Sequence, residues 1–349
     1  MITIEGRTLL HRSLSYDDVL LEPQYSDIES RSEISIQADL GKDLVLETPI
    51  FSSPMDTVSE AQMAIALSSV GGSSILHRYN TVIEQAGMIS EALEAGATNI
   101  GVAVGISGDF LERALCGIKL GATFVCVDVA HGHHIMMKET IGTLRKALGD
   151  DVHIMAGNVA TLAGINDLAD WGADSVRCNI GGGSICSTRI QTGHGVPGLQ
   201  TIIDCAKTDR DVKIIADGGI RNSGDIVKAL AAGADAVMCG SLFAGTTETP
   251  GVAFKDGQGH TWKEYRGMAS KEAQMSWRGK YSSFEGVSAR VPCRGPVADV
   301  VADLEKGIRS GLSYSGARSI SEFQARAKFI VQTPAGQSES NTHITHRNW

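Results

Sequence analysis

One cysteine has a setting suited to nucleophilic chemistry. Cys186 lies in the loop sequence Gly-Gly-Gly-Ser-Ile-Cys-Ser-Thr-Arg, residues 181–189, directly after an apolar stretch typical of a strand. Consecutive glycines let the backbone take positive φ values and lie close to a ligand, and the neighbouring hydroxyls and arginine give the thiol polar surroundings. The other six cysteines lie in apolar or helical runs, which suit a small buried hydrophobe. The spacing alone leaves open whether Cys186 is a nucleophile or a loop thiol without a role.

Short polar segments after the strand-like stretches hold the other residues that could do chemistry. In a parallel barrel such segments gather at one face. Gly218-Gly219 and Gly240-Ser241 offer unhindered backbone N–H groups for a phosphate, and Asp217 is placed to bind a diol such as ribose hydroxyls beside it. The alternative is that the glycine pairs only close tight turns, but two adjacent pairs favour the phosphate site. The same segments supply Ser53, Met55, Arg78, Asp128, Asn158, Cys186 and Thr188.

A histidine cluster, His-Gly-His-His at residues 131–134, raises the question of a metal site. Its spacing lacks the i, i+4 geometry of helical ligands, and no clustered carboxylate completes a zinc shell. We therefore favour histidines without a metal there. The histidines of the C-terminal segment, His343 and His346, are expected to be solvated.

Short apolar strands alternate with amphipathic helices from about residue 47 onward, which predicts a (β/α)8 TIM barrel. An open doubly wound sheet is the structural alternative. Gly-Ala pairs end the helices, as a glycine cap before a short loop would. Predicted strands cover residues 49–53, 74–77, 99–103, 124–128, 153–156, 175–178, 213–216 and 236–239. Predicted helices include residues 60–69, 109–120, 134–148, 162–171 and 223–232.

The pattern breaks once, after the eighth strand. Residues 247–296 are polar and aromatic-bearing without a clear period, and the last barrel helix, residues 297–310, follows them. A long insertion after a barrel strand lies on the catalytic face and commonly acts as a lid. We therefore expect one barrel domain over residues 1–349, with an active-site flap at 247–296 and a polar tail at 332–349.

Composition excludes several classes of function. A net charge of −9 and a pI near 5.6 argue against nucleic acid or an anionic membrane as a partner. An odd number of cysteines without paired spacing fits a reducing compartment. The first residues lack the apolar core of a secretory signal, and no apolar run reaches membrane-spanning length. We expect a soluble, cytoplasmic protein.

Several of these segments resemble the inosine monophosphate dehydrogenase / guanosine monophosphate reductase family. The resemblance rests first on residues 181–189, on Ile-Ile-Ala-Asp-Gly-Gly-Ile at 214–220 and on Tyr-Arg-Gly-Met at 265–268. These are long sequence motifs in the order in which the family has them, and the resemblance covers nearly the whole chain. Further matching words lie at residues 14–21, 53–58, 156–159 and 294–296.

The resemblance implies a nucleotide-binding barrel whose cysteine thiolate attacks C2 of a purine monophosphate, with hydride moving between C2 and a nicotinamide. Carried over to this sequence, Cys186 is the nucleophile, and Thr188 and Glu285 shuttle protons at the purine. The residues implied to bind the nucleotide are Ser53, Met55, Ser184, Asp217, Gly218, Gly219, Gly240, Ser241, Tyr265, Gly267 and Met268. Those implied to lie at the nicotinamide cofactor are Arg78, Asp128, Asn158 and Tyr281.

The resemblance also implies a monovalent cation such as K⁺ and a homotetramer. The carbonyls of Gly181, Gly183 and Cys186 correspond to the family's cation loop. Glu339 and Ser340 resemble the tail segment that completes this site from a neighbouring subunit.

Two features favour the reductase, which converts GMP to IMP and ammonia with NADPH. The paired regulatory (CBS) module that dehydrogenases usually insert between strands 2 and 3 is absent, so no CBS domains are expected. Dehydrogenases also activate water with an Arg-Tyr pair in a long flap, whereas residues 265–285 are too short for that flap and contain no adjacent Arg-Tyr. Residues 279–286 resemble the reductase's shorter loop.

Other features keep alternatives open. Ser282 stands where the reductase loop has arginine, Arg78 replaces a lysine, and residues 53–55 and 285–292 resemble bacterial dehydrogenases. An IMP dehydrogenase that uses NAD is therefore the alternative, with Lys280 and Tyr281 imitating the missing pair although lysine is a poor substitute for a planar guanidinium. A non-catalytic nucleotide-binding scaffold is a third interpretation, against which the intact Cys186, Thr188 and Glu285 argue.

Overall fold

Eight parallel strands close into a barrel in the computed structural model, which describes residues 2–4, 7–10, 12–282 and 284–342. His343 and His346 lie outside the described residues. Each strand pairs with the next, and the eighth pairs with the first at Val237 and Ile50. This closure confirms the (β/α)8 barrel and excludes the open sheet. The strands are Ile50–Ser52, Ser73–Leu76, Ile100–Val104, Phe124–Asp128, His153–Val159, Ser175–Cys178, Lys213–Asp217 and Ala236–Cys239.

Helices surround the barrel, and several of them begin or end at residues with suitable capping chemistry. Thr81 and Glu84 form a capping box, in which the Glu84 N–H donates to Thr81 Oγ1 (3.1 Å). Gly121 ends its helix with a φ of 115°, which glycine adopts without strain. The helices after the strands are Ala61–Ser69, Val82–Glu94, Phe110–Leu120, Ile135–Leu148, Leu162–Asp170, Thr188–Thr192, Gly198–Cys205, Ser223–Ala231 and Val297–Ser313.

The barrel interior is packed with apolar side chains. Phe51 and Phe124 meet edge to face, with ring centroids 5.8 Å apart, and Gly101 makes room because a methyl group there would overlap the Phe124 ring. At the amino-terminal ends of the strands, a hairpin of Ala38–Asp39 and Val45–Leu46 adds its leucines to the same cluster. The hairpin closes that end, so a ligand must enter from the opposite one.

The insertion after the eighth strand is an ordered flap. It contains a three-stranded antiparallel sheet, Phe254–Lys255, Thr261–Arg266 and Ser288–Pro292, and the helix Lys271–Arg278. The sequence predicts no regular structure here because Lys263 occupies a buried position of the middle strand, which hides the alternation typical of a half-buried strand.

Shorter elements lie outside the barrel and the flap. Val19–Leu21 pairs with Phe329–Val331, and the Gln332 side chain donates to the Asp17 carbonyl (2.7 Å). None of the helices in the described ranges is long and apolar enough to cross a membrane. The remaining elements are the strands Ile2–Ile4 and Arg7–Leu10, the 3₁₀ helices Tyr16–Asp18 and Arg31–Glu33, and the helices Ile320–Arg326 and Pro334–Glu339.

A buried arginine fixes the loop after the second barrel strand. Arg113 donates through Nη1 to Asn80 Oδ1 (2.9 Å) and Gln85 Oε1 (3.0 Å). Its Nη2 donates to the Asn80 carbonyl (2.8 Å) and to Asp109 Oδ2 (2.7 Å). The Asn80 contacts hold the segment that carries Arg78.

We expect Arg113→Met to lower the free energy of unfolding by about 3 kcal/mol, because it leaves buried oxygens of Asn80 and Gln85 without donors. Urea denaturation measures this change. Lys119→Met is the matched control on an exposed position of the same helix and should change stability by less than about 0.5 kcal/mol. Equal stability of the two variants would contradict the assignment.

Candidate active site

A cleft of about 390 Å³ lies at the carboxyl ends of the barrel strands, between the strand loops and the flap. Loops from six of the eight strands and two segments of the flap form its walls. Most residues singled out from the sequence meet there. They are Ser53, Met55, Arg78, Asp128, Asn158, Gly181, Gly183, Ser184, Cys186, Thr188, Asp217, Gly218, Gly219, Gly240, Ser241, Tyr265, Gly267, Met268 and Glu285.

Tyr281 is placed differently from what the sequence predicts, since it is not among the residues that line the cleft. Its ring is 42% exposed and packs against Phe284 with centroids 4.9 Å apart. The Lys271 ammonium lies 5.0 Å from the same ring. The contacts of Tyr281 that the structure shows are therefore with two other flap residues.

Five polar or aromatic residues of the cleft were missed from the sequence. Arg177 alone carries a signal, because a charged side chain inside the buried strand Ser175–Cys178 requires partners. The rest come together only through the path of the loops and the flap. The five are Tyr79, Arg177, Asn179, Gln274 and Arg278.

Cys186 begins a chain of hydrogen bonds that crosses from the barrel to the flap. Its Sγ donates to Thr188 Oγ1 (3.2 Å), and Thr188 Oγ1 donates to Glu285 Oε2 (2.9 Å). Thiol, hydroxyl and carboxylate thus stand in a row at the cleft wall. A proton can pass along such a row between a reacting group and the carboxylate.

The backbone joins the same two segments. Ser187 N–H donates to the Glu285 carbonyl (3.0 Å), and Val287 N–H donates to the Ile185 carbonyl (3.0 Å). The Ser187 hydroxyl donates to the Phe284 carbonyl (2.8 Å). This short antiparallel pairing places Glu285 opposite the cysteine loop.

Glycine is required inside the cysteine loop. A methyl group at Gly182 would overlap the Asn179 carboxamide, whose Nδ2 donates to the Gly218 carbonyl (3.2 Å). Gly218 and Gly219 have φ values of 90° and 77°, which glycine adopts at little cost. Asn179 thus connects the cysteine loop with the turn that follows Asp217.

A buried arginine sits between two carboxylates beneath the cleft. Arg177 Nη1 donates to Asp128 Oδ1 (2.5 Å), and its Nε and Nη2 donate to Asp217 Oδ2 (3.0 and 2.8 Å). Asn158 Nδ2 adds a bond to the same Asp217 oxygen (2.7 Å). Both carboxylates are therefore fixed by donors from other barrel strands, as a ligand-binding group must be.

The charges of this group decide the ionisation of Asp128. Burial raises its pKa, but the guanidiniums of Arg177 and Arg78 outweigh burial, so the net pKa is lowered. The two carboxylates drive the pKa of Arg177 above its ordinary value even though burial opposes them. Asp128 and Arg177 are thus a charged pair at neutral pH.

The other half of the cleft contains the predicted phosphate loop. Gly240 is closely surrounded, since a methyl group there would lie 2.9 Å from the Tyr265 hydroxyl and 3.3 Å from Met55 Sδ. Burial raises the pKa of Tyr265 to about 12, and its hydroxyl lies 3.5 Å from Ser184 Oγ. Tyr265 therefore remains a neutral hydrogen-bonding group.

Comparison with known proteins identifies the family. The IMP dehydrogenase / GMP reductase domain matches residues 13–343. The chain belongs to the IMP dehydrogenase / GMP reductase family. It is an oxidoreductase of a family that acts on purine nucleotides.

Relatives with both activities are similar to this chain. An inosine-5′-monophosphate dehydrogenase from Nitrosopumilus maritimus is 32% identical over 467 residues, covering 95% of this chain and 98% of the relative. A GMP reductase from Leishmania major is 31% identical over 489 residues, covering 98% and 99%. Because both alignments exceed the 349 residues of this chain, these relatives contain segments that it lacks.

A solved structure agrees over almost the full length. A variant of GMP reductase from Trypanosoma brucei, in complex with guanosine 5′-monophosphate, matches with a TM-score of 0.92 and 30% identity. The match covers 97% of this chain and 99% of that one. Family membership is thus settled, whereas the choice between the two reactions depends on the site.

Aromatic and basic side chains line the cleft at some distance from the phosphate loop. Tyr79 stacks on Trp277 with ring centroids 6.3 Å apart. The guanidiniums of Arg78 and Arg278 lie 5.6 and 6.0 Å from the Tyr79 ring. Arg78 is held by Asp128, with Nε 3.5 Å from Asp128 Oδ2 and Nη2 donating to the Asp128 carbonyl (3.0 Å), so this wall offers positive charge and a flat ring to a charged cofactor.

The tail residues predicted to complete a cation site lie outside the cleft. Glu339 ends the helix Pro334–Glu339, and the Ser340 hydroxyl donates to Gln332 Oε1 (3.2 Å). In the loop itself, the Gly183 carbonyl accepts the Cys186 N–H (3.1 Å). Within one chain, the tail segment therefore does not join the loop carbonyls to form a single site.

The histidine cluster has local roles. His134 caps its helix by accepting from the Met136 N–H (3.2 Å), and His133 Nε2 lies 2.6 Å from Asp167 Oδ2. Within the ranges that the structure describes, no three His, Cys, Asp or Glu side chains form a group that could hold a metal ion.

We expect Arg177→Met to cost about 3 kcal/mol of stability at neutral pH, because it leaves Asp128 charged and buried with less compensation. In the variant the pKa of Asp128 should rise. The carboxylate is then protonated as the pH falls, and the loss of stability becomes smaller. The wild-type carboxylate, with its lowered pKa, loses its contribution only at lower pH.

Thermal denaturation of both proteins at pH 8 and pH 5.5 tests this. The difference in Tm between wild type and Arg177→Met should narrow at the lower pH. Arg177→Lys, which keeps a positive charge, should lower the Tm less than Arg177→Met does. A difference that widens on acidification would contradict the assigned charges.

Proposed function

We propose that the protein is a GMP reductase, which converts GMP to IMP and ammonia at the expense of NADPH. The observation that carries this proposal is the row of Cys186, Thr188 and Glu285 in the cleft, combined with the placement of Tyr281 outside it. The row provides a nucleophile and an acid, whereas Tyr281, the residue expected to imitate part of a water-activating pair, does not line the cleft.

The nucleotide is held mainly by the barrel loops. Asp217 accepts hydrogen bonds from the ribose hydroxyls, because Arg177 and Asn158 fix its carboxylate. Gly218, Gly219, Gly240 and Ser241 supply backbone donors and a hydroxyl to the phosphate. The purine lies toward the cysteine, and the residues around it are Ser53, Met55, Ser184, Tyr265, Gly267 and Met268.

The chemistry begins at C2 of the purine. Cys186 gives its thiol proton through Thr188 to Glu285 as its sulfur forms a bond to C2, and the C2–N bond to the amino group then breaks. Thr188 passes a proton from Glu285 to the departing amine, which leaves as ammonia. When bound, NADPH supplies the hydride that replaces sulfur at C2. Cys186 is thereby released as a thiolate, and a proton taken up from solvent restores the thiol.

The residues beyond the purine fit a dinucleotide. We assign Asp128 and Asn158, which line the cleft, to the nicotinamide end, with the Arg78 guanidinium paired to Asp128 beside them. Tyr79 and Arg278 would face the rest of the cofactor. The carbonyls of Gly181, Gly183 and Cys186 are ligands of the kind that K⁺ prefers, and the tail of a neighbouring subunit in a homotetramer would complete that site.

IMP dehydrogenase is the second candidate, because Tyr79 and Arg278 are a tyrosine and an arginine that both line the cleft. Their geometry is unsuited to activating water, since the guanidinium lies 6.0 Å from the ring centroid over the face of the ring. Burial raises the pKa of Tyr79 more than the neighbouring arginines lower it. A phenol that holds its proton more tightly is a poor general base at neutral pH.

We expect Cys186→Ser to abolish turnover while GMP and IMP still bind, because a hydroxyl is far less acidic than a thiol. Activity above about one per cent of wild type, a loss smaller than about 2.7 kcal/mol, would remove Cys186 as the nucleophile. Wild-type protein should also form a stoichiometric adduct with 6-chloropurine ribotide. A non-catalytic scaffold would form no adduct.

The direction of the reaction gives the sharpest test. GMP with NADPH should turn over steadily and release ammonia, whereas IMP with NAD should give one burst of reduced cofactor and then little more. Glu285→Gln should slow ammonia release far more than hydride transfer, because only the former requires its proton. Rapid-mixing absorbance measurements follow both. Sustained NADH production from IMP would instead establish the dehydrogenase.

A further inference from the structure

Lys263 is a buried lysine that the reaction does not use. It lies in the middle strand of the flap sheet, opposite Val291, and is 7% exposed. A buried ammonium is costly unless all its donors are satisfied. Its partners therefore show what the fold gains from keeping a charge there.

Four oxygen atoms from one turn surround the Lys263 ammonium. Nζ donates to the carbonyls of Thr246 (3.1 Å), Thr247 (3.1 Å) and Thr249 (2.6 Å), and it lies 3.2 Å from Thr249 Oγ1. None of these acceptors is a carboxylate. We call this set, Thr246, Thr247 and Thr249 around Lys263, the lysine cage. Carbonyl and hydroxyl oxygens without a counter-charge are also the ligands that bind monovalent cations.

The turn that forms the cage is shaped by its own threonines. The Thr246 hydroxyl donates to the Phe243 carbonyl (2.8 Å), and the Thr249 hydroxyl donates to the Thr246 carbonyl (2.7 Å). Both threonine side chains are buried. The turn directly follows the predicted phosphate loop, since the Phe243 N–H donates to the Gly240 carbonyl (3.1 Å). The cage therefore joins the flap strand to the chain that leaves the phosphate loop.

The same flap strand is fastened again at its far end. Arg266 forms a close ion pair with Asp56 through Nη2 and Oδ2 (2.5 Å), and its N–H donates to Thr57 Oγ1 (3.2 Å). Tyr265 lies between the two attachments, and Gly267 and Met268 follow immediately. All three line the cleft, so their positions depend on where this strand is held.

We propose that Lys263 is a positioning residue which acts as a tethered monovalent cation, fixing the flap strand to the turn after the phosphate loop and thereby placing Tyr265 and Met268 against the bound nucleotide. The inference rests on the proposed function, which identifies the bound nucleotide as GMP or IMP. It predicts a specific loss of nucleotide affinity when the cation is removed, and recovery when a free cation replaces it.

Lys263→Ala tests this, with Lys255→Ala as the matched control on an exposed lysine of the same flap sheet. Calorimetry should show GMP binding weakened about tenfold in Lys263→Ala and within about twofold of wild type in Lys255→Ala. The KM for GMP should rise more than the KM for NADPH, because the displaced residues lie at the nucleotide.

Propylammonium replaces the atoms that the substitution removes. It should restore most of the GMP affinity of Lys263→Ala, while 1-propanol should not, because the cage requires a positive charge. Both additives are also applied to wild type and Lys255→Ala to correct for effects at other cation sites. Unchanged GMP affinity in Lys263→Ala, or a loss that propylammonium does not reverse, would overturn the proposal.

A second variant keeps the test decisive if Lys263→Ala does not fold. Thr249→Val removes one oxygen of the cage and leaves the lysine, so GMP affinity should fall about threefold with KM for NADPH unchanged. An affinity equal to wild type would overturn the proposal. A wild-type protein that binds neither GMP nor IMP would instead remove the proposed function itself.

Discussion

The backbone pairing between the cysteine loop and the flap is the interaction on which the site depends. Cys186 and Thr188 come from the barrel, whereas Glu285 comes from the flap, and the row they form exists only while the two segments are joined. Three hydrogen bonds make this junction, and each contributes about 1 kcal/mol net. Ordering each flap residue costs a similar amount, so the flap must be stabilised by its own sheet and by its attachments to the barrel.

The charged group of Arg177, Asp128 and Asp217 below the cleft also serves the site more than it serves stability. Replacing Arg177 together with both of its carboxylate partners by apolar side chains would cost little stability, since a whole buried ion pair often stabilises no more than a hydrophobic replacement, whereas removing Arg177 alone strands its partners. What the arginine provides is a fixed direction for Asp217 and an ionised Asp128. The barrel thus tolerates desolvated charge in its upper layer, whereas Phe51 and Phe124 pack in a cluster of buried apolar side chains lower down.

The barrel could be predicted from the sequence because its strands are buried on both sides and its helices are amphipathic. The spacing of apolar residues therefore changes at each boundary between a strand and a helix. The residues after the strands could be predicted for the same reason, since parallel strands bring their carboxyl ends to one face. The flap could not, because Lys263 interrupts the apolar alternation and is compensated by carbonyls of a distant turn. The orientation of Tyr281 depends on Phe284 and Lys271, and neither contact leaves a sequence pattern. The roles assigned to the cleft residues, and the assembly of the cation site from two subunits, stay predictions.

The division of labour between barrel and flap explains why relatives with two different reactions share one fold. The residues proposed to contact the nucleotide and to act as nucleophile belong mostly to barrel loops. In the proposed mechanism, the two reactions differ in the group offered to the intermediate at C2, which is a base for water in one case and an acid for ammonia in the other. That group comes from the flap, where Glu285 faces the cysteine loop and Tyr281 does not. A few residues of the flap can therefore determine the reaction while the barrel remains the same, because the flap only has to reach one end of a row that the barrel has already positioned.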